Sequence, residues 1–277
     1  MPDRPLLNAR ANKALGQHFL FDPDILRRTA LAAGPVEGQT IVEVGPGPGG
    51  LTHALLEQGA KIVLAVEADA RFAESLRSWP ETKQGRLHVV EGDATQVDIP
   101  KKLSDISANT PAKIVANLPY NVGTPLVVNW LKAKDWRAEM ALMFQHEVAA
   151  RLCAAPGDKH YGRLAVLAQA VTRPHIAFTL PPGAFKPPPK VDSSVAVFQP
   201  LSVEETYPDL DTLEKVTAAA FGQRRKMLRA SLRQLAKSKG VSSEDLLNKA
   251  GIDPTQRAET VSQMEFRALA DTYKDAS

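Results

Sequence analysis

The chain has 277 residues, of which 44% are hydrophobic and 23% charged, the proportions of a folded globular protein of one or two domains. No apolar run reaches the roughly 18 residues of a transmembrane helix. The single cysteine, Cys153, excludes a disulfide scaffold and a cysteine-based zinc site. The first 20 residues contain no apolar secretory core, so we expect a cytoplasmic protein.

Short apolar runs alternate with helical patterns in the first two thirds of the chain. The predicted strands are 40–45, 61–69, 86–94 and 113–120, and the predicted helices include 51–59 and 71–79. Strands that are almost continuous in Val, Ile and Leu predict a parallel sheet with helices on both faces.

The pattern changes after Pro200. Residues 210–277 contain helical patterns and no strand-like run, and the segment 202–214 carries five acidic residues and no basic one. Charge and Pro208 interrupt the hydrophobic pattern there. We therefore predict two domains, an α/β domain over 1–204 and a small all-α domain over 205–277.

A glycine loop, Gly45-Pro46-Gly47-Pro48-Gly49-Gly50, follows the first predicted strand of this sheet and opens a helix. The spacing fits G-x-G-x-x-G, which is typical of nucleoside-binding turns, although a tight strand–helix turn alone would give the same pattern. Glu67 ends the next predicted strand, where a carboxylate can bind ribose hydroxyls. Asp93 ends the third, where it could accept a hydrogen bond from an adenine amino group or cap the following segment.

The two prolines in the loop bear on which nucleoside binds. Pro46 and Pro48 have no N–H to offer a pyrophosphate. S-adenosylmethionine has no phosphate and carries a positive sulfonium, so a loop with few donors and nearby acids favours it over NAD.

The tetrapeptide Asn117-Leu118-Pro119-Tyr120 ends the fourth predicted strand, at the edge where ligands bind open α/β sheets. An adenine N6 amino group is a poor nucleophile because its lone pair is conjugated into the ring. The Asn117 side-chain oxygen and the backbone carbonyl of Pro119 or Leu118 could accept its two hydrogens and free that lone pair. Tyr120 could stack on the base. A strand-ending turn with a buried tyrosine would give the same tetrapeptide, but its place after the glycine loop, Glu67 and Asp93 favours an adenine N-methyltransferase.

The chain resembles the ribosomal RNA adenine dimethyltransferase family, specifically its bacterial small-subunit branch. The resemblance covers nearly the whole chain and lies in six ordered segments: 13–20 (KALGQHFL), 43–50 (EVGPGPGG), 117–120 (NLPY), 145–151 (QHEVAAR), 185–195 (FKPPPKVDSSV) and 220–229 (AFGQRRKMLR). The fold that it implies is a Rossmann-like, S-adenosylmethionine-dependent methyltransferase sheet with a helical C-terminal domain.

The resemblance also implies site residues. The positions that correspond to cofactor contacts are His18, Leu20, Gly45, Gly47, Glu67, Asp93 and Asn117. Phe185 would stack opposite Tyr120 and sandwich the target base, with Asn117 and Pro119 completing the catalytic set. The family dimethylates two adjacent adenosines in a hairpin loop near the 3′ end of 16S rRNA, late in small-subunit assembly. His18 departs from the family, many members of which carry Asn there.

Two further segments have expected roles. Residues 13–20 could close over a cofactor as a lid, or simply pack on the sheet. Residues 221–239 contain seven cations and no acid, and helical periodicity would align Phe221, Leu228, Leu232 and Leu235 beside a ladder of cations. We predict that this helix contacts RNA phosphates. Its RNA-binding candidates are Arg224, Arg225, Lys226, Arg229 and Arg233.

Other functions stay open at this stage. The chain could be a non-catalytic ribosome-assembly or nucleic-acid-binding factor, the related large-subunit rRNA methyltransferase, or, from the glycine loop alone, an NAD dehydrogenase.

The six histidines show no metal-ligand spacing, so we expect no metal. We expect a monomer whose partner is 16S rRNA.

Overall fold

The computed structural model describes residues 17–120, 122–133 and 135–276. Among these residues, none of the helices has the length and hydropathy to cross a membrane.

The described residues form nine strands and thirteen α-helices. The strands are β1 (Phe19–Leu20), β2 (Thr40–Val44), β3 (Ile62–Glu67), β4 (Leu87–Glu91), β5 (Ala112–Asn117), β6 (Arg137–Gln145), β7 (Thr172–Leu180), β8 (Phe185–Lys186) and β9 (Ser193–Pro200). The helices are α1 (Pro23–Ala30), α2 (Gly50–Glu57), α3 (Ala70–Arg77), α4 (Pro80–Lys83), α5 (Ile99–Asp105), α6 (Gly123–Lys132), α7 (His146–Cys153), α8 (Arg163–Gln169), α9 (Leu210–Phe221), α10 (Leu228–Ser231), α11 (Arg233–Lys237), α12 (Ser243–Lys249) and α13 (Gln263–Asp275).

A seven-stranded sheet in the order β4-β3-β2-β5-β6-β9-β7 forms the centre of the α/β part. The strands from β4 to β6 pair in parallel, as the apolar runs predicted. β9 pairs with β6 antiparallel, a feature that the sequence analysis did not predict. β2 is buried along its whole length, which explains why it reads as a continuous apolar run.

The chain divides into two compact units. The first extends up to Ala149 and includes His175–Pro200, and the second comprises Ala150–Pro174 and Leu201–Ser277. The second unit therefore takes in 150–174, which the sequence analysis assigns to the α/β domain. Residues 150–174 belong to the second unit because they contain α8, an almost wholly buried helix that packs on α9.

The second unit is helical, as expected for the C-terminal part of the chain. Its core forms where α9 packs on α13. The Phe221 ring lies 5.9 Å from the ring of Tyr161 and 5.6 Å from that of Phe266. The buried Tyr161 hydroxyl donates to the Val261 carbonyl at 3.0 Å.

The prediction of a single helix over 221–239 is wrong. α9 ends at Phe221, turns follow, and only the short helices α10 and α11 cover the rest of the segment. The Leu228 and Arg229 N–H groups donate to the carbonyls of Gln256 (2.8 Å) and Pro254 (3.1 Å) instead of to the preceding turn. Leu228 and Leu232 are nevertheless fully buried. The two leucines are still one helical turn apart, at the start and the C-cap of α10.

Candidate active site

One cavity of about 420 Å³ lies in the first unit at the carboxyl ends of β2, β3 and β5. Its volume is within the usual range for small-molecule sites. The predicted site residues that line it are His18, Leu20, Gly45, Gly47, Glu67, Asp93, Asn117, Pro119 and Tyr120. The parallel strands bring these residues to one edge, although up to 102 positions (120 − 18) separate them in the sequence.

The glycine loop has almost no free N–H groups. Gly45 donates to the Val66 carbonyl at 2.9 Å, and Gly49 donates to the Pro46 carbonyl at 2.9 Å. Gly47 donates to Glu67 Oε2 at 2.8 Å. Since Pro46 and Pro48 have no N–H, every position from 45 to 49 is either bonded within the protein or lacks a donor. Such a loop is poorly suited to a pyrophosphate, which is held by backbone N–H groups at this kind of turn.

β1 packs against the glycine loop. A Cβ atom on Gly47 would lie 2.8 Å from Phe19 Cε1, and Gly47 has a φ of +53°. Both the close approach and the left-handed backbone require glycine. β1 is therefore a wall of the cavity, contributed by the last residues of the segment predicted to be a lid. Residues 13–16 of that segment lie outside the described residues.

Two buried carboxylates line the cavity next to the loop. Glu67 is 4% exposed, and its Oε1 accepts the Asp69 N–H at 2.8 Å while Oε2 accepts that of Gly47. Burial raises the Glu67 pKa, and these hydrogen bonds oppose that shift. Glu43, in β2, accepts the Thr52 hydroxyl at 2.7 Å. Burial, opposed by that bond and reinforced by nearby Glu67, raises the Glu43 pKa to about 8.

Asp93 lies at the exposed rim of the cavity. Its Oδ1 accepts both the Thr95 N–H and the Thr95 hydroxyl at 2.8 Å. This bond pair caps the following turn, so the capping role that the sequence left open is present. The carboxylate remains in the cavity wall, where its Oδ2 can also serve a ligand.

Asn117 ends β5 and points into the cavity. Its Nδ2 donates to the His18 carbonyl at 3.1 Å. This bond fixes the plane of the amide and leaves Oδ1 at its other corner as an acceptor. The Pro119 carbonyl is engaged by the N–H groups of Val122 and Gly123, both at 3.2 Å.

The Tyr120 ring is held by a residue to which the sequence analysis gave no role. Its hydroxyl shares a hydrogen bond of 2.7 Å with the fully buried Ser193. Burial raises the Tyr120 pKa, so the phenol stays protonated at neutral pH. Ser193 and Ser194 are polar residues in a buried strand, and this pattern was the available signal for a supporting role.

Phe185 does not lie where the sequence analysis placed it. It pairs with Leu20 in the β1–β8 ladder, is 2% exposed, and packs in the core of the first unit. It does not line the cavity. Phe185 is therefore not positioned to sandwich a base opposite Tyr120, because its side chain packs in the core.

The five RNA-binding candidates all lie in the second unit and are exposed. Arg224 forms hydrogen bonds within the second unit. Its Nη2 donates to the Lys159 carbonyl at 2.6 Å, and its Nε donates to Glu259 at 3.2 Å. Arg229 lies 3.7 Å from Glu244. Within the part of the chain that the structure describes, no ion pair is found for Arg225, Lys226 or Arg233.

No cluster of three or more His, Cys, Asp or Glu side chains that could hold a metal ion occurs among the described residues. Whether the protein uses a metal is not tested by this finding, and the expectation that it uses none stays a prediction.

Comparisons with known proteins find relatives that match the chain over most of its length. The chain is 51% identical over 265 residues to the Ribosomal RNA small subunit methyltransferase A of Agrobacterium fabrum, covering 94% of this chain and 92% of that protein. It is 52% identical over 264 residues to the protein of the same name in Sinorhizobium medicae, with 94% and 92% covered.

Two solved structures share the fold. A dimethyladenosine transferase from Plasmodium falciparum has a TM-score of 0.74 at 24% identity, covering 91% of this chain and 96% of that one. The 23S rRNA methyltransferase ErmE has a TM-score of 0.65 at 22% identity, covering 93% and 100%. The Rossmann-like sheet with C-terminal helices is thereby confirmed.

Residues 8–275 match the family described as Ribosomal RNA adenine dimethylase. Together with relatives about half identical over nearly their whole length, this match confirms the methyltransferase class, and the chain belongs to the ribosomal RNA adenine dimethylase family.

Proposed function

We propose that this protein uses S-adenosylmethionine to dimethylate N6 of two adjacent adenosines in the 3′-terminal hairpin loop of 16S rRNA, late in small-subunit assembly. The small-subunit name of its half-identical relatives supports the choice of ribosomal subunit. The observation that carries the proposal is that the glycine loop, Glu67 and the Asn117–Tyr120 segment share one cavity.

The cavity suits S-adenosylmethionine. The glycine loop has no N–H available for a phosphate between 45 and 49, which argues against NAD. The buried Glu67 and the rim residue Asp93 offer carboxylate oxygens, which suit a ribose, an adenine amino group and a positive sulfonium. When bound, S-adenosylmethionine supplies an electrophilic methyl group on that sulfur.

Asn117 would orient the target amino group. Its Nδ2 is held by the His18 carbonyl, so Oδ1 can accept one N6 hydrogen without the amide turning over. The second acceptor is the Leu118 carbonyl, since that of Pro119 already accepts two N–H groups. Two acceptors draw N6 toward tetrahedral geometry and free its lone pair. Positioning of this kind supplies a large part of an enzyme's rate enhancement.

Tyr120 would hold the base by stacking, because its ring is fixed by the bond from its hydroxyl to Ser193. No general base is needed, since the methylated amine is acidic and releases its proton to water after transfer. This accords with the raised pKa of Tyr120, which keeps the phenol neutral.

RNA binding is assigned to the basic residues of the second unit, and methyl transfer to the first unit. Arg225, Lys226 and Arg233 are exposed cations, and each phosphate that they neutralise would release counterions and strengthen binding at low salt. The protein acts as a cytoplasmic monomer in this proposal, with 16S rRNA in the small subunit or its precursor as its partner.

The test is transfer of labelled methyl from S-adenosylmethionine to small subunits that lack the modification, followed by mapping of the methylated nucleotides. Two adjacent dimethylated adenosines near the 3′ end of 16S rRNA are expected. Methylation of 23S rRNA would assign the protein to the large subunit instead. Binding to small subunits without any transfer would leave an assembly factor as the function.

A further inference from the structure

The imidazole of His18 lies on the ring of Tyr120. The two ring centroids are 5.3 Å apart and the planes are inclined by 29°, a stacked arrangement. A second contact holds the imidazole in place, because His18 Nδ1 donates to the Pro187 carbonyl at 2.8 Å. Both rings line the cavity, so this stack is part of its wall.

This arrangement leaves no room for a base between the two rings. Aromatic carbons in van der Waals contact lie about 3.5–4.0 Å apart, so two rings with a third stacked between them need a separation of about 7–8 Å. The 5.3 Å between His18 and Tyr120 is a direct contact. A base and the His18 imidazole therefore exclude each other from this face of Tyr120.

The His18 side chain can leave without disturbing Asn117. The hydrogen bond to Asn117 comes from the backbone carbonyl of His18, whereas the contacts with Tyr120 and Pro187 come from the imidazole. Rotation of the side chain breaks the second set and keeps the first. Phe185 offers no alternative contact on Tyr120, because it is buried in the core.

We propose that His18 is a gate over the target-base site: its imidazole covers the stacking face of Tyr120 and gives way when an adenine base of single-stranded RNA enters. This inference rests on the proposed function, in which Tyr120 stacks on the target base. The stack and the hydrogen bond that must be broken oppose RNA binding, so the gate raises the KM for RNA.

The first test follows the His18 ring directly by NMR of the full chain labelled with 13C-histidine. The His18 signal is identified as the one that disappears in His18→Asn. In the free protein it should show a ring-current shift that disappears in Tyr120→Leu. Adding an RNA hairpin with two adjacent loop adenosines should abolish the same shift, whereas the hairpin with abasic sites at those two positions should not.

The second test is kinetic and does not depend on the folding of the Tyr120 variant. At saturating S-adenosylmethionine, His18→Ala should lower the KM for RNA about threefold to tenfold, the worth of a stacked aromatic pair. His175→Ala, which removes an exposed imidazole elsewhere in the first unit, should leave the KM unchanged.

The outcomes separate the two proposals. A His18 signal that keeps its shift at saturating RNA while methyl transfer proceeds would overturn the gate alone, as would an unchanged or raised KM in His18→Ala. Absence of methyl transfer from the wild-type protein to any ribosomal RNA would overturn the proposed function, and the gate with it.

Discussion

The Gly47 N–H donates to the Glu67 carboxylate at 2.8 Å, and this bond ties the glycine loop to the end of the neighbouring strand. The other oxygen of the same carboxylate accepts the N–H of Asp69. Glu67 thus sets the position of the loop as well as lining the cavity.

Glu67→Gln should weaken S-adenosylmethionine binding. An amide has one oxygen, so its NH₂ group would face either the Gly47 or the Asp69 donor. A buried donor left unsatisfied lowers the stability of the folded protein by about 1–3 kcal/mol. The ligand also loses its hydrogen bond to a charged carboxylate, worth about 1.5–3 kcal/mol, so we expect the Kd to rise about tenfold to a hundredfold. Isothermal titration calorimetry measures this. Glu74→Gln, at an exposed position, is the control, and an unchanged Kd in Glu67→Gln would show that the carboxylate does not organise the site.

Asn117→Ala should abolish methyl transfer without unfolding the protein. The variant loses both the Oδ1 acceptor and the bond to the His18 carbonyl. Losing one preorganised group of this kind costs a factor of about 100 to 1,000 in rate. Single-turnover transfer under saturating substrates measures the effect, and thermal unfolding checks the fold. Asn129→Ala, at an exposed position of α6, is the control. A rate within tenfold of wild type would remove Asn117 from the mechanism.

How well the sequence predicts an element of this fold depends on whether its backbone hydrogen bonds join residues that are near or distant in the chain. The strands β2, β3 and β5 were predictable because they are buried on both faces of the sheet, so their apolar character is almost continuous. The helix predicted over 221–239 failed although its apolar period was correct. The Leu228 and Arg229 N–H groups bond to the distant segment at 254–256, and no local pattern encodes such a partner.

The candidate site likewise has residues whose positions could be predicted and residues whose positions could not. The positions of Glu67 and Asn117 follow from the topology, since parallel strands bring their carboxyl ends to one edge. The positions of the Phe185 and Ser193 side chains depend instead on the register of strand pairing. The β1–β8 ladder sets which way Phe185 points, and the place of Ser193 beside Tyr120 depends on a pairing between segments 73 residues apart.

Glu43 should make the stability of the protein fall as pH rises. Its pKa is raised from 4.5 to about 8 in the folded state, so the folded state holds a proton that the unfolded state has released. The contribution of Glu43 to the free energy of unfolding is therefore highest below pH 4.5 and declines until about pH 8, by at most about 1.4 kcal/mol per pH unit. Urea unfolding between pH 5 and 8 measures the slope. Glu43→Gln should flatten it, while parallel profiles for the two proteins would contradict the assignment.

Gly49→Ala should destabilise the fold more than a matched substitution elsewhere. Gly49 has a φ of +89°, and a Cβ there would lie 2.5 Å from Trp79 Cη2, whereas Gly85 has a φ of +72° with nothing within 4 Å. Gly85→Ala should cost about 1–2 kcal/mol for the left-handed backbone. Gly49→Ala should cost about 1–3 kcal/mol more for the overlap. Equal losses in chemical denaturation would mean that the Trp79 side chain moves aside freely.

Arginines of the second unit should separate into RNA-contacting and structural residues. Arg224 is bonded to Lys159 and Glu259, so Arg224→Gln should lower Tm. Arg225 and Arg233 are exposed, and in the proposal they contact phosphate. Replacing either by Gln should leave Tm unchanged and reduce the slope of log K against log salt by about 0.7–0.9 for each phosphate that is no longer neutralised. Filter binding of a 16S rRNA fragment at several salt concentrations measures the slope. A slope unchanged in the Arg225→Gln, Arg233→Gln double variant would place the RNA interface elsewhere on the protein.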